Sequence, residues 1–244
     1  MNKVLLAFVF SQLAITASAM DSRELYAIGK AYQPGTSELL YVEEHYGDIN
    51  NDAVQEVLYL DDAQRQIAVK KSIGAPGIYA PEFFQADYRS GQLIAAKPVD
   101  GSNIEVMYRA GLNTDQLRDT IEKSANLVMD SGFNTYILDN WESLQSGAVL
   151  NIEFVVPARM SSIGMTVNAT ACERDDGQCF SVSPRNFLLK LVVGEIELEY
   201  SADKQRLLMF RGVSNISDYS GSGQKVEIHY EYPEQLPAGQ ELLI

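Results

Sequence analysis

Positive charge is scarce in this chain: 19 Lys and Arg stand against 33 Asp and Glu, a net charge of −14 at pH 7. A surface of that sign repels the phosphate backbone of nucleic acids and anionic membrane faces, so neither is expected as a partner. Histidine is confined to His45 and His229, and there is no H-E-x-x-H, G-x-S-x-G, phosphate loop or dinucleotide-binding glycine motif. Zincin chemistry and the nucleophile-elbow hydrolases are thereby excluded, and no cofactor, metal centre or defined catalytic set is expected. Long apolar runs are also missing after residue 20. The strongest, Phe187 to Val193, is interrupted by Lys190 and falls far short of the ~20 residues of a transmembrane helix. The mature chain is expected to have no transmembrane segment.

Cysteine is equally sparse, with only Cys172 and Cys179 present. Zinc would need two further ligands, and redox pairs usually have C-x-x-C spacing. The simplest expectation is a structural disulfide in an oxidising compartment, with two free thiols as the alternative. Such a compartment is what the N-terminus predicts. Lys3, the apolar stretches Val4 to Phe10 and Leu13 to Ile15, and Ala17-Ser18-Ala19 supply the charge, apolar run and cleavage site of a signal peptide. The expected organisation is a signal peptide over 1–19 and one mostly β domain over 20–244, periplasmic or secreted.

What the chain has in quantity is alternation. Ile196, Leu198 and Tyr200 alternate with Glu195, Glu197 and Glu199, and Val226, Ile228, Tyr230 and Tyr232 alternate with Glu227, His229 and Glu231. A period of two marks strands with one buried and one wet face. With a strand over Arg206 to Val213 between them, they predict an antiparallel meander. Upstream, Arg23 to Lys30, Glu38 to Tyr46, Ala53 to Leu60 and Arg65 to Ile73 have strand character and are separated by turn residues. Gln92 to Ala96 with Asn103 to Arg109 predicts a hairpin, and Leu150 to Val156 and Ser162 to Thr170 predict two more strands. Asn113 to Asp130 fits either a helix or a strand.

One helix stands out. Phe133, Tyr136, Ile137, Asn140, Trp141 and Leu144 share a face of a helix predicted from about Phe133 to Gln145, with Ser131 as its cap and Gly147 beyond its end. A shorter helix is predicted to open at Ser183-Pro184. The expected fold class is mainly β (α+β), a strongly curved antiparallel sheet or incomplete barrel wrapped on the amphipathic helix.

Candidate sites follow from that arrangement. Phe133, Tyr136, Trp141, Phe154 and Phe210 would either fill the core or line a groove for a lipid or other apolar ligand. Arg159 and Arg211 would anchor a head group or pair with acids. Alternation places Glu43 and His45 on one strand face, which suits either an acid/base pair or an ordinary acidic surface strand. Asp48, Asn50 and Asp52 alternate like the opening of a calcium loop, although Ala53 and Tyr59 occupy the places of the EF-hand Gly and Glu. A polar hairpin turn is the other reading.

Three blocks carry a resemblance. Phe133-Asn134-Thr135-Tyr136 through Asn140-Trp141-Glu142-Ser143-Leu144, then Phe154-Val155-Val156-Pro157-Ala158-Arg159, then Phe210-Arg211-Gly212-Val213-Ser214-Asn215-Ile216 resemble an uncharacterised family of bacterial secreted proteins over most of the mature chain. The order of strands, central helix and strands is more distantly similar to the periplasmic half-barrel lipoprotein carriers LolA and LolB. That likeness of pattern implies a Gram-negative periplasmic setting, while the family has no established activity to transfer. Three expectations result: a noncatalytic protein that binds a lipid or apolar ligand, an acidic module that meets a cell-envelope protein, and a hydrolase built on His45.

Overall fold

The computed structural model describes residues 23–48, 51–74, 78–203 and 206–233. The expected signal peptide lies outside them, as do Asn50 and the side chains of Asp48 and Asp52 in the calcium-like turn. The first half of the chain is a run of strands: β1 (Arg23–Tyr32), β2 (Leu39–Asp48), β3 (Asn51–Leu60), β4 (Gln66–Ile73), β5 (Glu82–Asp87), β6 (Leu93–Pro98), β7 (Asn103–Arg109) and β8 (Leu117–Glu122). A two-residue strand, β9 (Leu127–Val128), leads into helices α1 (Gly132–Asp139) and α2 (Trp141–Gln145). Then come β10 (Leu150–Val156), β11 (Ser161–Thr170), β12 (Gly177–Pro184), helix α3 (Phe187–Val193), β13 (Ile196–Ser201), β14 (Leu207–Ser217) and β15 (Gly223–Glu231).

All fifteen strands form one sheet, in the order β8-β7-β6-β5-β4-β3-β2-β1-β15-β14-β13-β12-β11-β10-β9. Neighbours are antiparallel except β9 and β10, which are parallel because the helical crossover of α1 and α2 separates them. The first eight strands step outward from β1, and the last seven step back inward to meet β1 through β15, with Gly29 opposite Tyr230. The two outermost strands are consecutive in the chain. Only residues 123–126 join β8 to β9. That link reaches at most about 18 Å, whereas fifteen strands laid flat would hold their outer members roughly 67 Å apart.

The sheet therefore folds back on itself. Gln85 of β5 donates to the Asn215 carbonyl of β14 at 2.7 Å, and Arg89 just beyond β5 donates to the Ser217 carbonyl at 2.6 Å. The edges approach without joining, so the sheet is not a closed barrel. β8 presents an exposed, charge-bearing edge with Arg118, Asp119 and Glu122, which discourages pairing with another strand. Behind β9 the fit is close. The Tyr79 carbonyl accepts from Met129 N at 2.9 Å, and a Cβ at Gly132 would lie 2.0 Å from that same oxygen. Only glycine can open α1 there.

The predicted strands of the C-terminal meander and of the first half are present, β5 and β12 are additions, and the stretch Asn113 to Asp130, which fits either helix or strand, contains strands β8 and β9. The single helix expected over Phe133 to Gln145 is two, broken at Asn140 (φ −105°, ψ 14°), whose side chain donates to the Tyr136 carbonyl at 2.9 Å. An asparagine amide that competes with the helical ladder in this way favours an interruption. Ser131 makes no side-chain cap, because its own backbone is already helical (φ −62°, ψ −21°). The second helix does not open at Ser183-Pro184. Those residues extend β12 opposite Thr166 and Met165, and Asn186 instead caps α3 by accepting from Leu188 N at 2.9 Å.

Three hydrophobic clusters fill the interior. Ile137, Trp141 and Leu144 of α1 and α2 pack with Ile152, Val167, Phe180 and Tyr200 of β10–β13. A second cluster joins Tyr41, Tyr59 and Ala68 to Ile216, Val226 and Ile228. A third joins Phe83, Ile104 and Val106 to Leu127, Met129 and Val155 across the β8–β9 seam. Cys172, in the β11–β12 connection, forms a disulfide with Cys179 of β12, with Cα atoms 5.3 Å apart. Closing so short a loop contributes about 2–3 kcal/mol in the chain-entropy account.

Candidate functional site

Alternation in β2 puts Tyr41, Glu43 and His45 on one face, and that face is the interior one. Glu43 is only 5% exposed, so this is not the acidic surface strand that its composition suggests. His45 Nε2 lies 2.9 Å from Glu43 Oε2, and the Tyr230 hydroxyl donates to the same oxygen at 3.3 Å. Room for this cluster comes from the adjacent strand. A Cβ at Gly29 would lie 2.9 Å from the Tyr230 ring and 3.2 Å from Glu43 Oε2. Burial first, and the Glu43 charge next, push the Tyr59 and Tyr230 phenols well above their ordinary range, so both stay protonated donors.

Strand β4 turns Ala68, Lys70 and Ser72 inward by the same alternation. Lys70 Nζ reaches Asp130 Oδ1 at 3.2 Å, and Ser72 Oγ donates to Asp130 Oδ2 at 3.2 Å. Both charged side chains are nearly buried, at 11% and 8% exposure. Burial alone would lower the Lys70 pKa, but Asp130 and Glu43 more than reverse it, so the ammonium holds its proton more tightly than in water. Asp130 arrives from the far edge of the sheet, immediately after β9. A buried ion pair adds little stability over apolar residues of equal volume, and ionisable groups held beside a cavity mark a candidate site.

Two cavities of about 370 Å³ each adjoin at this point and share Lys70, Ser131, Asn134 and Leu207 in their walls. One is apolar, with Phe133, Phe154, Leu198 and Phe210 among its lining. The other is the more polar of the two, bordered by His45, Gln55, Thr135, Arg206 and Tyr230 together with Val57, Ile78 and Leu207, and no Asp or Glu lines it among the described residues.

The residues expected to hold a ligand separate into groups. Phe133, Phe154 and Phe210 line the apolar cavity. Tyr136 and Trp141 are instead packed into the core, Tyr136 against Tyr79 at 5.1 Å between ring centroids and Trp141 against Phe180 at 5.2 Å and Tyr200 at 5.6 Å. Arg159 is exposed on the turn after β10. Arg211 lies outside the lining of both cavities and is paired with Glu197 at 2.6 Å and Glu227 at 2.9 Å. Sequence reasoning missed Lys70 and Asp130. The one available signal was a lysine sharing strand parity with Ala68.

Among the described residues no group of three or more His, Cys, Asp or Glu could hold a metal ion, and no helix is long and apolar enough to cross a membrane. No protein-family model, curated protein or solved structure matches the chain.

Proposed function

We propose that this is a noncatalytic extracytoplasmic protein, periplasmic or secreted, that binds a lipid or other apolar ligand inside an incomplete barrel curved around α1. The observation that carries the reading is the apolar cavity of about 370 Å³ walled by Phe133, Phe154 and Phe210, within the ~300–1,000 Å³ typical of small-molecule sites. The short β8–β9 link and the Cys172–Cys179 disulfide support the curvature and the oxidising location respectively. Native mass spectrometry of gently purified protein should show bound lipid, and added fatty acid should change the fluorescence of Trp141, which packs on the cavity-lining Tyr200. Filling the space with Val213→Trp should reduce both signals. Protein that carries no lipid and shows no response would refute the reading.

The 2.9 Å contact between His45 and Glu43 favours a second reading, a hydrolase in which buried Glu43 orients His45 as general base. His45→Ala would then abolish turnover of a small ester panel, and unchanged turnover would dispose of it.

A further inference from the structure

We infer that the ligand is a single-chain anionic amphiphile, its carboxylate or phosphate head in the polar cavity beside Lys70 and His45 and its hydrocarbon tail among Phe133, Phe154 and Phe210. The inference rests on the ligand-binding reading above and specifies the chemistry of the molecule bound. Its first support is adjacency. The polar and apolar cavities share Lys70, Ser131, Asn134 and Leu207, so one molecule can occupy both. Its second is charge complementarity. The whole chain has 33 acids to 19 Lys and Arg, yet the cations Lys70 and Arg206 line the polar cavity beside His45, and no acid does among the described residues.

The nearby carboxylates act as supports for these groups. Glu43 lines neither cavity and holds one ring nitrogen of His45, leaving the other available. Asp130 borders the apolar cavity and takes one hydrogen bond from Lys70, whose ammonium carries three donors. An anionic head group can accept from the remaining donors through charge-assisted hydrogen bonds, which are roughly twice as strong as neutral ones. The apolar cavity, near the lower end of the size range for such sites, suits one chain better than two.

The experiment compares ligands with the same tail on delipidated full-length protein. Palmitate, hexadecanol and hexadecyltrimethylammonium are titrated by calorimetry, with lysophosphatidic acid as the phosphate-headed arm. One or both anionic amphiphiles should bind about tenfold or more tightly than hexadecanol, the size of one charge-assisted contact, and the cation should bind most weakly. Which acid binds more tightly identifies the head group. Lys70→Gln combined with Asp130→Asn, which removes the pair without leaving a lone buried charge, should bring the anion down to the affinity of the alcohol. If that variant fails to fold, His45→Gln serves the same comparison while retaining a partner for Glu43. Equal affinity for the alcohol and both acids would overturn the inference and leave the apolar-ligand reading standing, whereas binding of no amphiphile would overturn the reading itself. Displacement of palmitate by inorganic phosphate alone would reassign the polar cavity to a free ion.

Discussion

Strands β10–β13 and β1–β4 belong to one sheet and alternate with the same period, yet their inward faces differ in kind. Residues of α1 and α2 pack against β10–β13, and Trp141, Phe180 and Tyr200 meet edge to face with centroids 5.2 to 5.8 Å apart. On β1, β2 and β4 the inward residues include Gly29, Glu43, His45, Lys70 and Ser72, and of these His45, Lys70 and Ser72 border open space. The contrast separates two uses of burial. The aromatic cluster removes apolar surface from water and stabilises the fold, while the charged cluster contributes little stability and requires specific partners at each polar group.

Substitutions can break or sharpen that contrast. The largest effect is expected from Trp141→Ala, which leaves a void among Phe180, Tyr200 and Leu144 and should cost about 4 kcal/mol, seen as a collapse of the urea midpoint. Lys70→Met should cost about 3 kcal/mol by leaving the buried Asp130 carboxylate without its cation, and adding Asp130→Asn should restore most of the loss. A double variant as unstable as the single one would mean that the pair itself holds the fold. Gly29→Ala should cost about 1–2 kcal/mol through overpacking against Tyr230 and Glu43, and it should weaken ligand binding more than a helix-side substitution of equal cost. At the small end, Arg211→Gln should change stability by less than about 1 kcal/mol, because its bonds to Glu197 and Glu227 lie on the wet face. A larger change would place that ion-pair network among the determinants of stability.

Much of the β architecture was legible in the sequence. The alternation of Ile196, Leu198 and Tyr200 with glutamates, and of Val226, Ile228 and Tyr230 with Glu227 and His229, identified the strands, because a sheet in water buries one side, although Glu199 on the expected wet face is buried. β5 escaped notice because the adjacent Phe83 and Phe84 break its alternation, and β12 because serines are interspersed with its hydrophobic residues. The candidate site was half visible. Phe133, Phe154 and Phe210 were marked by size and apolarity, and the shared face of Glu43 and His45 by parity. Lys70 carried only its strand parity with Ala68 and Asp130 carried no local signal, since their contact joins positions sixty residues apart.

Composition and period two determined that this chain is mainly β, acidic and able to close its one disulfide, because each of these is a local property of residues or of near neighbours. Which face of β2 turns inward, how the β8–β9 link bends fifteen strands back on themselves, and where space remains beside Lys70 were decided only by tertiary structure. Those outcomes depend on distances between segments remote in the chain, and an alternating pattern is the same whichever way the sheet curves.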